Sequence, residues 1–219
     1  MNKKSSRLIC TVDIDMDYCT DITEPTVKKY AERIGADFYS CKETTQSLAQ
    51  TKYNLLFQAR HGGYEKVLLL DADVLIRRGI PNIFDHYENA LFNELPYKNK
   101  EDTWTIVNGM KRSGHTEFAD ENPFYNMGVI LLNSEGLEKL SDLLIIANKP
   151  EQEKYNFNSI LIGSDLEIES LHQRWNTPGG FMLPVDDPTL LDAYFIHVNG
   201  IKDPQKRAEK LKTVSLMFP

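Results

Sequence analysis

The hydrophobic positions of this chain fall into short continuous runs, and each run breaks off at polar residues. Arg7–Val12 is the first, and it gives way to Asp13, Asp15 and Asp17. Such a run predicts a buried strand whose C-terminal end opens into a polar loop. Thr23 and Pro25 then mark a helix start, with Val27, Tyr30, Ala31 and Ile34 on one face and Gly35 as the stop. Ala36–Ser40 predicts a second strand. A second helix spans Leu48–Arg60, with Ala49, Tyr53 and Leu56 turned inward and Gly62-Gly63 behind it. Lys66–Leu70 is a third strand, stopped by Asp71, and the apolar pair Val74–Leu75 follows.

Strand, helix, strand, helix, strand is the order of a parallel sheet with crossover helices. Runs that are apolar throughout suit strands covered on both faces. From Asn89 to Thr116 the pattern dissolves, and loop with short irregular elements is expected there. Tyr125–Asn133 restores a strong strand, followed by a helix carrying Leu137, Leu140, Leu144 and Ala147. Tyr194–Val198 predicts a late strand. Pro204–Lys212 predicts a terminal helix, and the mixed charges of Lys202–Lys212 suit a solvated face. No repeat or low-complexity linker divides the 219 residues. Residues 1–219 are therefore expected to form a single α/β domain, a mostly parallel central sheet flanked by helices.

Composition narrows the function. Hydrophobic residues make up 41% of the chain, enough for a sizeable core. Against 25 basic residues stand 32 acidic ones, a net charge of −7, which argues against a nucleic-acid partner. A phosphate-bearing ligand remains compatible, because a metal ion can supply positive charge locally. Cys10, Cys19 and Cys41 are odd in number and lack zinc-site spacing. A reducing compartment fits them better than a disulfide framework. The apolar stretch Leu8–Val12 is short for a signal peptide, and no run is long enough to span a bilayer. A cytoplasmic protein without a transmembrane segment is the expectation.

The candidate chemistry centres on Asp71-Ala72-Asp73. On a plain strand two such carboxylates point to opposite faces, so joint chelation requires the chain to turn there. The pair follows a strand end, where open α/β sheets bind their ligands. Hard carboxylate oxygens suit Mg²⁺ or Mn²⁺. The plainer alternative is one Asp capping the turn beside a solvated neighbour. Phe195-Ile196-His197-Val198-Asn199-Gly200 places a histidine at the end of a late strand, either as a satisfied core or turn residue or as a third ligand. Gly200 would let backbone approach a ligand closely, and Lys202 follows within reach of an anion. Trp104 and Trp175 are expected to pack. His61, His86, His115 and His172 have no partner spacing and are expected on surfaces or loops.

These residues carry a resemblance. Lys66–Ile76, containing Asp71-Ala72-Asp73, resembles the metal-binding core of family 8 glycosyltransferases, the group of lipopolysaccharide galactosyltransferases and glycogenin. Arg77–Asp85 fits the same pattern, and Tyr125–Asn133 is similar to the family's Asn-x-Gly-Val strand. Glu151–Asn156 resembles its acidic-Gln segment, while Arg174-Trp175-Asn176 and His197-Val198-Asn199-Gly200 match two later landmarks in order. The resemblance runs from Arg7 to about Pro204. It departs from the family at Lys202, which comes one place early and precedes Asp203-Pro204, and at Lys154, where an apolar residue is usual.

The resemblance implies a GT-A (Rossmann-like) fold, a UDP-sugar donor and hexose transfer with retention to a glycan or protein acceptor. It implies Mn²⁺ or Mg²⁺ held by Asp71, Asp73 and His197. Thr11 and Asp13 would contact the nucleotide, Tyr18 would stack on the base, and Ala72 would lie against the same ligand. Lys52 is the nearest match to the family's upstream basic residue. Asn126 and Gly128 would line the sugar pocket, and Gly200 and Lys202 would meet the diphosphate. Glu151 and Gln152 would lie at the reacting centre, Gln152 by the anomeric face. Two other readings stay open: a haloacid-dehalogenase-type phosphatase using Asp13 and Asp15, and a nucleotide-sugar-binding protein of the same fold without catalysis.

Overall fold

A computed structural model describes residues 5–42, 47–94, 100–112, 122–144, 153–178 and 187–217. Three parallel strands form its first half: β1 (Arg7–Val12), β2 (Asp37–Cys41) and β3 (Lys66–Asp71). They are linked by helices α1 (Asp17–Ile34) and α2 (Leu48–His61). Beyond them come β4 (Val74–Ile76), β5 (Ala90–Asn93), α3 (Lys100–Arg112), β6 (Tyr125–Asn133), α4 (Ser134–Leu144), α5 (Glu153–Gly163) and β7 (Glu169–Ser170). The chain closes with β8 (Thr177–Pro178), α6 (Pro188–Asp192), β9 (Phe195–His197) and α7 (Pro204–Met217).

The main sheet has the order β2-β1-β3-β6-β5-β7, and a smaller one the order β4-β9-β8. In the main sheet β6 alone opposes the rest, pairing antiparallel with both β3 and β5. The apolar runs are explained by burial on both faces. On β3, Val67 and Leu69 join the core under α2, α4 and α5, while Leu68 and Leu70 join the core under α1. β6 repeats this, with Ile130 and Leu132 on one side and Val129 and Leu131 on the other.

Several expectations are corrected. α1 begins at Asp17, so Pro25 lies inside the helix and Thr23 is no cap. The buried Thr23 hydroxyl instead donates to the Ala72 carbonyl at 2.7 Å, across to the acidic turn. The Asn89–Thr116 stretch contains β5 and α3. The strand is short, and the helix buries only Ile106 and Met110 among its residues, so the apolar periodicity was weak. Trp104 on α3 is 64% exposed and does not pack, whereas Trp175 is buried edge-on against Tyr87, Tyr194 and Phe195. The late strand belongs to the second sheet, and α7 runs past Lys212 to Met217. Ala147 and His115 lie outside the described residues.

Candidate functional site

The site is assembled by register. β1 and β3 run side by side and end together, Val12 opposite Asp71. The strand β6 comes from the opposite direction, pairing Val129 with Leu70, so its opening residues Asn126–Gly128 lie where β3 ends. The β5–β6 pairing shifts register between Leu91 and Phe92, skipping residues 127–129 of β6, so that Phe92 lies opposite Asn126. The chain turns at Ala72-Asp73 and enters β4, whose antiparallel partner β9 sets His197 against Val74. The Val198 amide donates to the Asp73 carbonyl at 3.1 Å and locks that corner. The turn that joint chelation required is therefore present.

Asp71, Asp73 and His197 offer ligand atoms within 4.8 Å of one another. His197 Nε2 is 3.3 Å from Asp73 Oδ1 and 3.5 Å from Asp71 Oδ2. Two cations complete the cluster: Lys52 Nζ is 2.6 Å from Asp71 Oδ1, and an Arg207 guanidinium nitrogen is 3.4 Å from Asp73 Oδ2. These groups face a cleft of about 310 Å³, which Asn126, Met127, Gly128, Asn199 and Gly200 also line. Gly200 has φ +81°, a left-handed conformation that suits glycine.

A buried chain of hydrogen bonds fixes the histidine. The Gly128 amide donates to Asn126 Oδ1 at 2.8 Å, which settles the orientation of that side chain. Its amide nitrogen then donates to the buried Glu94 carboxylate at 2.5 Å. Asn176 Nδ2 donates to Asn126 Oδ1 at 3.1 Å, so Asn176 presents its oxygen to His197 Nδ1, also at 3.1 Å. Nδ1 must therefore carry a proton, and Nε2 is the nitrogen aimed at the aspartates. Gly128 makes room for this, because a β-carbon there would overlap the His197 ring.

Burial disfavours a charged imidazole, yet the Asp73 carboxylate and hydrogen bonds to both aspartates outweigh it and push His197 up to about 9. Burial also acts to raise Asp71, but Lys52 and then His197 hold its carboxyl well below the usual range. A raised folded pKa means stability that is fully present below the unfolded value of 6.5 and lost as pH rises through about 9. With chelator present, the unfolding-temperature advantage of the wild type over His197→Gln should shrink across that window. A constant or growing difference would show that the imidazolium does not stabilise the metal-free cluster.

The other expected site residues divide. Lys52, Asn126, Gly128 and Gly200 line the cleft with the three ligand candidates. Ala72 is buried in the turn. Thr11 and Asp13 are buried at the end of β1, where Thr11 Oγ1 and Asp13 Oδ1 have no hydrogen-bond partner among the described residues and Asp13 Oδ2 faces Lys42 at 3.2 Å. The Tyr18 hydroxyl lies 3.0 Å from Met16 Sδ, with Asp73 and Arg207 close enough to act on it electrostatically. Lys202 is exposed and is not among the residues that line the cleft. Asp203 caps α7 by accepting from the Gln205 amide at 2.9 Å, Pro204 opens the helix, and Arg207, one turn on, supplies the cation. Glu151 and Gln152 lie outside the described residues.

Sequence reasoning left Arg207 on a solvated face and gave no role to Glu94 or Asn176. The Asp-Pro helix start was the available signal for Arg207, since it fixes which residue lies one turn in. Glu94 had none. Of the two aspartates in the phosphatase reading, Asp13 is buried and Asp15 is exposed at φ +56°; among the described residues only Asp71, Asp73 and His197 form a metal-capable group.

No family model matches the chain, and no curated protein matches it. Among solved structures it is similar to a glycosyltransferase involved in the glycosylation of the major capsid of PBCV-1. The TM-score is 0.67 at 17% identity, over 94% of this chain and 98% of that one. At that identity the likeness shows the fold, a GT-A-like α/β domain. No helix among the described residues is long and apolar enough to cross a membrane.

Proposed function

We propose that this chain is a metal-dependent glycosyltransferase that moves a hexose from a UDP-sugar to a hydroxyl of a glycan or protein acceptor, with retention at the anomeric carbon. The observation that carries the reading is the Asp71, Asp73 and His197 cluster facing a cleft at the ligand-binding end of the sheet. One imidazole nitrogen and two carboxylates fit Mn²⁺ or Mg²⁺, and Asn176 holds the imidazole in the tautomer that a ligand needs. Asp71, Asp73 and His197 would hold the ion, which when bound supplies Lewis-acid neutralisation of the departing diphosphate.

The protein's own groups have separate tasks. Lys52 and Arg207 compensate the aspartates in the metal-free chain, and both line the cleft, where they would receive phosphate oxygens of a donor. Thr11 Oγ1 and Asp13 Oδ1, without a partner among the described residues, would gain one from a bound nucleoside, and leaving them unpaired is costly. Glu151 and Gln152 keep the role at the reacting centre that the resemblance implies.

The test is a thermal-shift panel of nucleotide sugars with and without Mn²⁺. UDP-glucose or UDP-galactose should raise the midpoint only with the ion, and slow donor hydrolysis should accompany it. Hydrolysis separates a transferase from a protein that only binds the donor. Arg207→Gln should weaken donor binding about tenfold, the scale of one hydrogen bond to a charged group, while Lys202→Gln should be near neutral. Equal shifts for uridine, guanosine and adenosine sugars, or a larger loss at Lys202, would defeat the assignment.

A further inference from the structure

A second cavity, of about 380 Å³, lies between α1, the turn after β4 and the end of α7. Its lining includes Lys29, Arg33, Arg77 and Arg78 and, among the described residues, no carboxylate. Four cations converge on one hollow in a chain whose net charge is −7. Such crowding of like charge costs free energy.

The four cations are held differently. Arg33 lies 5.2 Å over the Tyr30 ring and donates to the Ile80 carbonyl at 2.5 Å. Arg77 donates to the Leu191 carbonyl at 2.5 Å. The Arg33 guanidinium is thus positioned by neutral partners and keeps further N–H groups for a ligand. Lys29 and Arg78 are exposed, and among the described residues neither has a carboxylate within ion-pair reach. The neutral hydroxyls nearby are engaged: Thr26 Oγ1 donates to the Thr23 carbonyl and accepts from the Ile76 amide, and Ser215 Oγ donates to the Lys212 carbonyl.

We infer that this cavity is an anion site for a phosphate-ester group, separate from the acidic cleft. Phosphate oxygens match the guanidinium fork, and the cavity wall formed by Ile76, Pro25 and Tyr30 accommodates the organic part of an ester. The inference does not rest on sugar transfer, because none of these residues lines the acidic cleft. The two sites share one support. Thr23 and Thr26 lie three residues apart on α1, one holding the Ala72 carbonyl and the other the Ile76 amide.

The experiment uses the full chain with chelator, to silence the acidic cleft, and two probes. Inorganic pyrophosphate, followed by calorimetry, reports a soluble source. Phosphatidylcholine vesicles with and without phosphatidylglycerol, followed by co-sedimentation, report a lipid headgroup. Saturable binding in either arm, weakened roughly tenfold or more by the double change Lys29→Gln/Arg78→Gln, is expected, and the responding arm names the source. That variant breaks no described hydrogen bond, so its fold should persist, and its unfolding temperature checks this. No saturable binding in either arm, or unchanged binding in the double variant, would overturn the site. Binding that survives the double change but is lost in Arg207→Gln would place the anion in the acidic cleft instead, and would overturn it equally.

Discussion

Asp73→Asn is expected to lower Mn²⁺-dependent affinity for uridine diphosphate by more than about 100-fold, past the range seen when only an outer partner of a ligand is lost. The substitution keeps the side chain's size and removes one hard anionic candidate ligand from a group of three. Asp73 is buried and makes ionic contacts with both His197 and Arg207, so its loss also changes the metal-free protein. Breaking a buried pair normally costs about 3–5 kcal/mol through the charge left behind. His197 has an escape, because Asp73 is the leading cause of its raised pKa, and without that charge the imidazole can shed its proton. The fold should therefore survive, with a smaller stability loss than that range. Calorimetry with uridine diphosphate and Mn²⁺ decides the matter. Unchanged affinity would remove Asp73 from the site.

The contrast between Asp73 and Arg207 shows what the sequence made legible. Asp71-Ala72-Asp73 follows a four-residue apolar run, so both the strand and its polar exit could be read locally. β1, β3 and α2 were equally legible, because their apolar residues are contiguous or helically spaced and their stops are Gly or Asp. The meeting of His197 with Asp73 is different in kind. It depends on β9 pairing with β4 across more than a hundred residues, in a register that no local pattern encodes. The strand-end position of His197 left a third ligand as one of two readings, and the resemblance favoured it.

Direction was also hidden. A strand as apolar as β6 can pair either way, because burial on both faces erases the alternation that would distinguish its surroundings. Yet its antiparallel sense brings Asn126 and Gly128 to the end of β3. A parallel β6 would have carried them to the opposite edge. Arg207 was misplaced for a related reason: a charge in a mixed-sign helix looks solvated until the helix start is fixed by Asp203 and Pro204. Its side chain is held by the Ile201 carbonyl, to which Nε donates at 2.8 Å, and this aims it at Asp73.

Gly128→Ala should disable the same centre without removing any ligand. A β-carbon at this position would overlap Cε1 and Nδ1 of the His197 ring and lie 2.8 Å from Nε2. An aromatic ring cannot compress, so either the ring or the strand must move. β6 is flanked on both sides, by β3 and β5, whereas the ring turns about single bonds. The ring should yield, and in yielding it breaks the bond to Asn176 and turns Nε2 from the aspartates. Metal-dependent nucleotide affinity should then fall about 10–100-fold, as when the group that orients a ligand is lost. Overpacking should cost about 1–3 kcal/mol of stability. The double change Gly128→Ala/His197→Ala separates this mechanism from general damage to β6. Without the imidazole the added methyl has space, so the double variant should lose less stability than the sum of the two single variants. Metal-dependent binding should remain lost in it. Chemical denaturation of all four proteins measures the coupling, and strictly additive losses would mean that Gly128 is small for a reason other than His197.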